Sequence, residues 1–175
     1  MELKNVKFKD IASFKYGSMQ KENYGTIPIF SGYSISGYTN NSNVNNETLI
    51  VVCRGVGGTG DVKLTPSKCW VTNLSIICEV DESKVNYKYL YYYLLSQNNR
   101  MKKLDTGSCQ AQITIEQLGL FELLLPPLYI QNKIVDILAN IDNQIKRNND
   151  MVQKLQSYKP TISCFSKKGE MRYVA

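Results

Sequence analysis

The chain has 175 residues, enough for one domain with an appendage and for a hydrophobic core without disulfide staples. It is 43% hydrophobic and 21% charged, as ordinary globular proteins are, and no apolar run reaches the roughly 18 residues of a membrane span. Because the first residues lack the apolar stretch of a secretion signal, we expect a cytoplasmic protein. The net charge of +6 favours a polyanionic partner such as DNA, RNA or an anionic membrane surface.

The first 125 or so residues indicate short strands separated by turns. Residues 25–32 predict a short apolar strand closed by a glycine turn, and residues 47–53 predict a buried strand. Between them, residues 33–46 are rich in Ser, Gly, Asn and Tyr, the composition of an exposed loop or hairpin. Residues 70–80 alternate and then become fully apolar, which predicts another strand.

The rest of the chain combines helical spacing with one more strand. Apolar residues recur at helical spacing over residues 85–104, so we expect an amphipathic helix there. Residues 118–125 predict a last apolar strand. The double proline at 126–127 marks the main boundary, because proline interrupts a strand ladder but suits the start of a helix. We expect domains at 1–127 and 128–160, with Pro160 ending the helix and a weakly ordered tail at 161–175.

The segment after the double proline predicts one long helix with an apolar stripe. The stripe residues follow one another mostly at steps of three or four, with one step of seven, as in a coiled coil. They are Ile130, Ile134, Ile137, Leu138, Ile141, Ile145, Val152 and Leu155. A lone helix of this kind cannot cover its own stripe, so we expect a second helix as partner. The alternative is that the stripe packs on the first 125 residues.

The sequence contains partial matches to catalytic and cofactor motifs, but their context excludes them. Residues 55–60 match G-x-G-x-x-G, but no helix pattern follows, so a nucleotide site is not expected. We expect these glycines instead to permit positive φ angles and a close approach of the backbone to another group. Residues 125–128, L-P-P-L, superficially resemble an amino-methyltransferase motif, but two leucines can neither bind the target amine nor stack on a base. The sequence has no histidine, its acidic residues are scattered, and its five cysteines contain no C-x-x-C pair. We expect no catalytic residue, no metal site, no cofactor, and buried reduced thiols.

Polar and basic residues suited to DNA remain at the turns. Arg and Lys can bind guanine or phosphate, Asn and Gln can bind adenine, and Ser and Tyr can hold phosphates. Arg54 opens the glycine loop and Lys63 closes it, so a phosphate backbone is a reasonable ligand for that loop. The candidate DNA-binding residues are Lys15, Tyr16, Tyr33, Ser34, Arg54, Gly57, Thr59, Lys63, Asn73, Ser108, Gln110 and Gln112.

Three segments carry a family resemblance. Residues 107–114, G-S-C-Q-A-Q-I-T, look like a G-S-x-Q-x-x-I segment, and residues 123–138 are similar to an I-P-x-P-P-L-x-E-Q-x-x-I-x-x-x-L helix start. Residues 141–145 match its I-D-x-x-I continuation, and Ile130 departs from the family's usual glutamate. On these motifs the chain, from about residue 7 to 158, resembles one half of a specificity subunit of type I restriction–modification systems.

The resemblance implies an α+β fold with a concrete function. A β-rich target-recognition domain reads half of a bipartite DNA site, and a long C-terminal helix forms an antiparallel coiled coil with a partner. Full-length specificity subunits carry two such domains, and their helices set the spacing and dock methyltransferase subunits. We therefore expect a non-catalytic, DNA-binding specificity subunit. Its expected partners are double-stranded DNA, a second copy of itself, methyltransferase subunits and, through them, the restriction subunit. We expect no membrane partner. The coiled-coil contacts expected are Ile134, Ile137, Leu138, Ile141, Ile145, Val152 and Leu155.

Two other function classes stay open at this point. One is a coiled-coil interaction or regulatory protein of a restriction complex that does not touch DNA. The other is a stand-alone DNA-modifying enzyme. Salt-dependent duplex binding separates the first from a DNA-recognition subunit, because counterion release makes true DNA binding steeply salt-dependent.

Overall fold

The computed structural model describes residues 2–22, 24–55, 58–104 and 112–170, with residues 158–170 described by their backbone alone. It divides into two compact units, Met1–Asn132 and Lys133–Ala175. The strands are β1 Lys4–Lys7, β2 Ala12–Tyr16, β3 Ile27–Phe30, β4 Ile35–Thr39, β5 Leu49–Val52, β6 Val62–Leu64, β7 Trp70–Val71, β8 Ser75–Val80 and β9 Glu122–Leu125. The helices are α1 Tyr87–Ser96, α2 Asn98–Lys102, α3 Ile115–Gly119 and α4 Leu128–Glu170, with a short 3-10 helix at Phe8–Asp10.

The centre of the first unit is an antiparallel sheet in the order β2-β8-β5-β6. All four residues of β5 are buried, and the first four of β8 are buried too. Strands that are covered on both faces have continuous apolar sequences. The strands predicted over residues 47–53 and at the end of residues 70–80 are therefore present, as β5 and β8. Ile50 and Ile77 join Val71 and Cys69 in the core.

A second sheet has the order β4-β3-β7, and β1 pairs with β9 alone. The expected strand over residues 70–80 is wrong as one element, because β7 and β8 belong to different sheets. Between them the backbone N–H of Ser75 donates to Thr72 O at 3.2 Å, closing a turn around Asn73. Asparagine favours such turns, so the chain changes sheets at that residue.

The expected helix over residues 85–104 is two helices, α1 and α2, separated at Gln97. Gln97 has φ −96° and ψ 14°, outside the helical region, and two polar asparagines follow it, which compete with helix formation. The N-terminus of α1 is capped by Asn86, whose side chain accepts hydrogen bonds from the backbone of Lys88 and Tyr89.

The expected strand over residues 118–125 is also divided, since Leu118 lies in α3 and only β9 is extended. Thr114 and Gln117 form a reciprocal capping box at the start of α3. The spacing of a hydroxyl residue and a glutamine three positions later is a helix-start signal that the apolar pattern obscured.

The double proline leads into α4 as predicted, and Gln131 secures that junction. The side chain of Gln131 is 1% exposed. Its Oε1 accepts from the backbone N–H of Asn86 at 3.0 Å, and its Nε2 donates to Pro126 O at 2.9 Å. The glutamine of the helix-start motif thus has a structural role. Neither of these two hydrogen bonds involves residue 130, where this chain has isoleucine and the motif has glutamate.

The second unit consists of the helical chain from Lys133 onward. The prediction that Pro160 ends the helix is wrong, since α4 continues through it to Glu170. A proline inside a helix removes one backbone donor and crowds the carbonyl four residues earlier, at a cost of about 3 kcal/mol, yet α4 is continuous on both sides of it. The predicted α+β class, with a β-rich first part and a long C-terminal helix, is confirmed.

Candidate nucleic-acid interface

Most of the predicted DNA-binding residues gather at one end of the four-stranded sheet. Tyr16 and Val51 both pair with Ile76, and Val51 also pairs with Val62. These pairings place the ends of β2 and β5 beside the starts of β8 and β6. We call this region the loop end, defined as residues 16–18, 31–34, 53–55, 58–63, 72–75 and 112–115.

Backbone hydrogen bonds hold the segments of the loop end to one another. The N–H of Gly17 donates to Ser75 O at 2.9 Å, and the N–H of Cys53 donates to Leu74 O at 2.9 Å. The N–H of Ile113 donates to Cys53 O at 3.0 Å. Candidates from distant parts of the sequence therefore share one surface. They are Tyr16, Tyr33, Ser34, Arg54, Thr59, Lys63, Asn73 and Gln112, whereas Gly57, Ser108 and Gln110 lie outside the described residues.

Arg54 is the most favourably placed cation of the loop end. Its backbone N–H donates to Leu74 O at 3.3 Å, and it forms an isolated antiparallel bridge with Gln112. Its side chain is exposed and makes no hydrogen bond or ion pair with any residue that the structure describes. A fixed backbone with an unengaged guanidinium is what bidentate binding of guanine or phosphate needs.

The glycine loop accommodates the protein's own side chains. Gly55 and Gly60 have φ values of +137° and +92°, as the sequence predicted for glycines of this loop. A Cβ on Gly58 would lie 1.5 Å from the hydroxyl oxygen of Tyr33, so the tyrosine ring occupies that space. A Cβ on Gly60 would lie 2.9 Å from the backbone nitrogen of Lys102. The close approach that these glycines permit is therefore intramolecular.

Lys63, a predicted DNA-binding residue, contacts a side chain of the protein itself. Its ammonium lies 4.8 Å from the centroid of the Tyr33 ring and donates to Tyr33 O at 3.3 Å. Burial, and secondarily the Asp61 carboxylate, raise the pKa of the Tyr33 hydroxyl, which therefore stays protonated at neutral pH. Tyr33, 43% exposed, keeps a hydroxyl that can donate to a phosphate, while Lys63 holds its ring.

Other candidates are partly engaged within the protein. Lys15 forms an ion pair with Glu79 along the sheet, away from the loop end, and this contact lowers the pKa of the Glu79 carboxyl. Thr59 donates to Gly55 O at 3.1 Å. The hydroxyl of Tyr16 accepts from the backbone N–H of Ile115 at 3.3 Å.

Two features of this surface were missed or misread in the sequence. Asp61, in the glycine loop, pairs with Lys102 at 3.2 Å, and no local pattern connects residues so far apart. Residues 40–43 belong to the stretch that was expected to form an exposed loop or hairpin. In the structure, however, the Asn43 amide donates to Val71 O at 2.9 Å and accepts from Val71 N at 2.7 Å, as a strand would.

Three cysteines agree with the expectation of reduced, buried thiols. Cys53, Cys69 and Cys78 are free and buried, and burial raises the pKa of each thiol. Cys109 lies outside the described residues, and nothing of the Cys164 side chain is described. In the part of the chain that the structure describes, no three metal-binding side chains come together.

The apolar stripe of α4 is the second candidate surface. Ile134 and Leu138 are half-buried. The other predicted contacts are large apolar side chains turned to solvent: Ile137 61%, Ile141 45%, Ile145 51%, Val152 50% and Leu155 61% exposed. Exposed apolar rows of this length mark binding surfaces in soluble proteins. No helix of the described chain combines the length and apolarity of a membrane span.

Comparison with known proteins defines the class. A family model described as "Type I restriction modification DNA specificity domain" matches residues 2–173. The chain belongs to this family, and the predicted resemblance is confirmed.

Solved structures agree in fold. A type I restriction–modification S subunit from M. genitalium is 20% identical with a TM-score of 0.76, and the match covers 91% of this chain and 44% of that one. A chain from a study of assembly and conformational transition of the type I R-M system is 15% identical, with a TM-score of 0.67 and coverages of 91% and 43%. The HsdS subunit from Thermoanaerobacter tengcongensis is 18% identical, with a TM-score of 0.64 and coverages of 83% and 38%. This chain thus spans less than half the length of each.

Proposed function

We propose that this chain is the DNA-recognition subunit of a type I restriction–modification enzyme, reading one half of a bipartite site. Family membership supports the class. The observation that carries the proposal is Arg54, an exposed guanidinium on a backbone fixed by Leu74 and bridged to Gln112. Arginine reads guanine and glutamine reads adenine through paired hydrogen bonds in the major groove.

The surroundings of Arg54 suit a phosphate backbone. The Tyr33 hydroxyl stays protonated and donates to phosphate oxygens, and Arg54 contributes positive charge beside it. Lys63 acts indirectly by holding the tyrosine. We assign base reading to Arg54 and Gln112, and backbone positioning to Tyr33, Ser34, Asn73 and Thr59. The candidates outside the described residues, Gly57, Ser108 and Gln110, keep their predicted DNA-binding role.

The partners follow from the exposed stripe of α4. The described residues hold one reading domain and one long helix, and the chain spans less than half of each solved relative. Two copies joined through antiparallel α4 helices supply two heads and read a palindromic split site, as closed two-fold symmetry favours. The helix pair also docks methyltransferase subunits, which bring the restriction subunit. We place the coiled-coil segment at residues 128–160 and the reading domain at residues 1–127.

Catalysis belongs to the partner subunits in this proposal. The chain needs no cofactor of its own, and it works in the cytoplasm, where its DNA target lies. When it is incubated with duplex and S-adenosylmethionine in the absence of other subunits, we expect no transfer of the methyl group, as measured by radiolabel on the DNA.

Selection from a random duplex pool tests the function. The wild-type chain, alone and together with its methyltransferase subunits, should enrich a split motif with inverted halves. Its affinity for the enriched duplex should fall steeply as salt rises. The Arg54→Ala variant is the matched control and should enrich a weaker or degenerate motif. If neither preparation retains duplex, the chain is an interaction or regulatory protein without direct DNA contact.

A further inference from the structure

The turn between β3 and β4 presents one aliphatic side chain to solvent. Residues 31–36, which we call the hairpin tip, have the sequence S-G-Y-S-I-S, so Ile35 stands among small and polar residues. The backbone N–H of Ser31 donates to Ser34 O at 3.1 Å and closes the turn. Ile35 follows at the first position of β4 and is 48% exposed. An aliphatic residue is unusual at this place, because tight turns and their flanks are commonly polar.

A β-bulge turns Ile35 towards solvent. In the ladder of β3 and β4, Ile29 pairs with Gly37, and the next residue of β3, Phe30, pairs with Ile35. Residue 36 is thus an extra residue of β4 without an opposite number on β3. In an uninterrupted ladder, Ile35 would share a face with Gly37 and with the buried Ile29. The extra residue places it opposite Phe30 instead, and bulges that re-aim a side chain in this way recur beside functional sites.

Contacts within the protein hold the hairpin tip in place. The Lys63 ammonium donates to Tyr33 O at 3.3 Å, and the Tyr33 ring occupies the space above Gly58. Gly32, with φ +84°, lies so close to the core that a Cβ on it would be 3.1 Å from the hydroxyl oxygen of Ser75. An isoleucine on such a support loses little freedom on binding, because its β-branched side chain has few rotamers.

We propose that Ile35 reads a thymine of the half-site by packing against its C5-methyl group. This inference rests on the proposed reading of DNA by the loop end and deepens it. Base pairs present hydrogen-bond donors and acceptors in the major groove, and the thymine methyl is the apolar group among them. An aliphatic side chain therefore distinguishes thymine from the other bases, whereas Arg54 and Gln112 use hydrogen bonds.

The surroundings of Ile35 suit a nucleic acid better than a protein. A stable protein interface covers about 800 Å² on each partner around an apolar centre. Ile35 is instead flanked by Ser34 and Ser36, and the exposed guanidinium of Arg54 belongs to the same end of the sheet. The pairing of β3 with β7 ends at Phe30, so the hairpin tip beyond it is a two-stranded ribbon. A ribbon of this kind fits a major groove about 12 Å wide.

Ile35 and Arg54 reach the same stretch of duplex. Tyr33 precedes Ile35 in the hairpin tip, and its hydroxyl oxygen would lie 3.4 Å from a Cβ on Gly55, the residue after Arg54. The path from Ile35 through the tyrosine ring to the backbone of Arg54 is therefore about 20 Å or less. At about 3.4 Å per base pair, this is about six base pairs or fewer. The thymine and the guanine read by Arg54 thus belong to one half-site.

Replacing thymine by deoxyuridine tests the contact, because it removes the methyl group alone. The chain with its methyltransferase subunits first selects its site from a random duplex pool. Each thymine of one half-site is then replaced singly, and duplex affinity is measured by fluorescence anisotropy. One thymine should be sensitive, with a loss of about three- to tenfold, as expected for one buried methyl group. Replacing it by 5-bromodeoxyuridine, whose bromine is similar in size to a methyl group, should restore the affinity.

Two variants of residue 35 assign the effect to the isoleucine. Ile35→Ala and Ile35→Ser should bind the thymine and deoxyuridine duplexes equally, and both should keep the wild-type dependence of affinity on salt, since no charge is lost. Leu120→Ala is the matched control, because Leu120 is also 48% exposed but lies outside the loop end. It should keep the wild-type ratio of the two affinities.

The outcomes separate this inference from the proposed function. If no duplex is selected, DNA recognition by the chain fails, and the role of Ile35 fails with it. If a site is selected but holds no sensitive thymine, the role of Ile35 alone is overturned. Sensitivity that persists in Ile35→Ala and Ile35→Ser overturns it too, since another group then contacts the methyl. Loss of sensitivity in these two variants, with retention in Leu120→Ala, supports the inference.

Discussion

The loop end of the sheet and the stripe of α4 differ in how much of their chemistry is satisfied inside the chain. At the loop end, Tyr33 fills the space above Gly58, Lys63 holds the tyrosine, and Asp61 pairs with Lys102. On the helix, Ile141 and Ile145 remain about half exposed. A surface for a polar ligand can therefore be pre-organised by internal contacts. An apolar surface, in contrast, is completed only when a partner covers it.

The largest effect is expected from Ile141→Asp, which places a charge in the exposed apolar stripe of α4. A carboxylate buried in the paired seam costs about 3 kcal/mol or more, so the dimer dissociation constant should rise roughly 150-fold. Sedimentation equilibrium measures this change. Asn140→Asp adds the same charge outside the seam and should leave the dimer intact. Equal effects of the two variants would contradict the assignment of the seam.

Arg54→Ala tests the loop end, where internal contacts already hold the candidate DNA-binding residues in place. Loss of the guanidinium should cost about 1–3 kcal/mol of duplex affinity, or roughly 5- to 150-fold, without lowering protein stability. Arg54→Lys keeps the charge but lacks the planar fork of donors, so it should keep the salt dependence and lose base discrimination. Fluorescence anisotropy on matched and mismatched duplexes separates these effects. Uniform loss across all duplexes would reassign Arg54 from base to phosphate.

Tyr33→Ala removes the internal support of the loop end. The ring covers Gly55 and Gly58 and receives the Lys63 ammonium, so its loss should lower the free energy of unfolding by about 1–2 kcal/mol. Tyr33→Phe should keep most of that stability while weakening duplex binding through the lost hydroxyl. Urea unfolding, in the Ile141→Asp background so that dissociation does not contribute, measures the first effect.

The smallest effect concerns Lys15 and Glu79. Because the contact lowers the pKa of Glu79 in the folded state, its stabilisation is present above the ordinary glutamate pKa near 4.3 and is lost as pH falls through the lower folded value. Both side chains are about half exposed, so we expect less than about 1 kcal/mol. Glu79→Gln should flatten that part of the curve of unfolding free energy against pH. An unchanged curve would show that solvent screens the pair fully.

Local signals predicted several parts of the structure. The apolar run before Cys53, the positive φ at Gly55, and the helix start after Pro127 all follow from side-chain chemistry within a few residues. The switch between sheets at Asn73 and the break at Gln97 did not follow. At those points long-range pairing, rather than local periodicity, decided where each element ended.

The sequence predicted which residues could bind DNA, but it did not predict which of them lie together on one surface. Arg54 and Gln112 were both proposed from residue type, but the bridge between them connects segments 58 residues apart, which no local pattern encodes. The same holds for Lys63, whose sequence position beside the glycine loop suggested a phosphate ligand. Its contact with Tyr33 depends on how the β3–β4 hairpin folds back over the loop.

By itself the sequence determined the family, the β-rich start, the long helix and its apolar stripe, because periodicity and short motifs are local properties of the chain. The tertiary structure alone decided which side chains share the loop end, and which of them are already engaged with one another. Hydrogen bonds and ring contacts between distant segments form only when the sheet has assembled. They distinguish Arg54, whose exposed guanidinium has no partner among the described residues, from Lys63, whose ammonium contacts the Tyr33 ring.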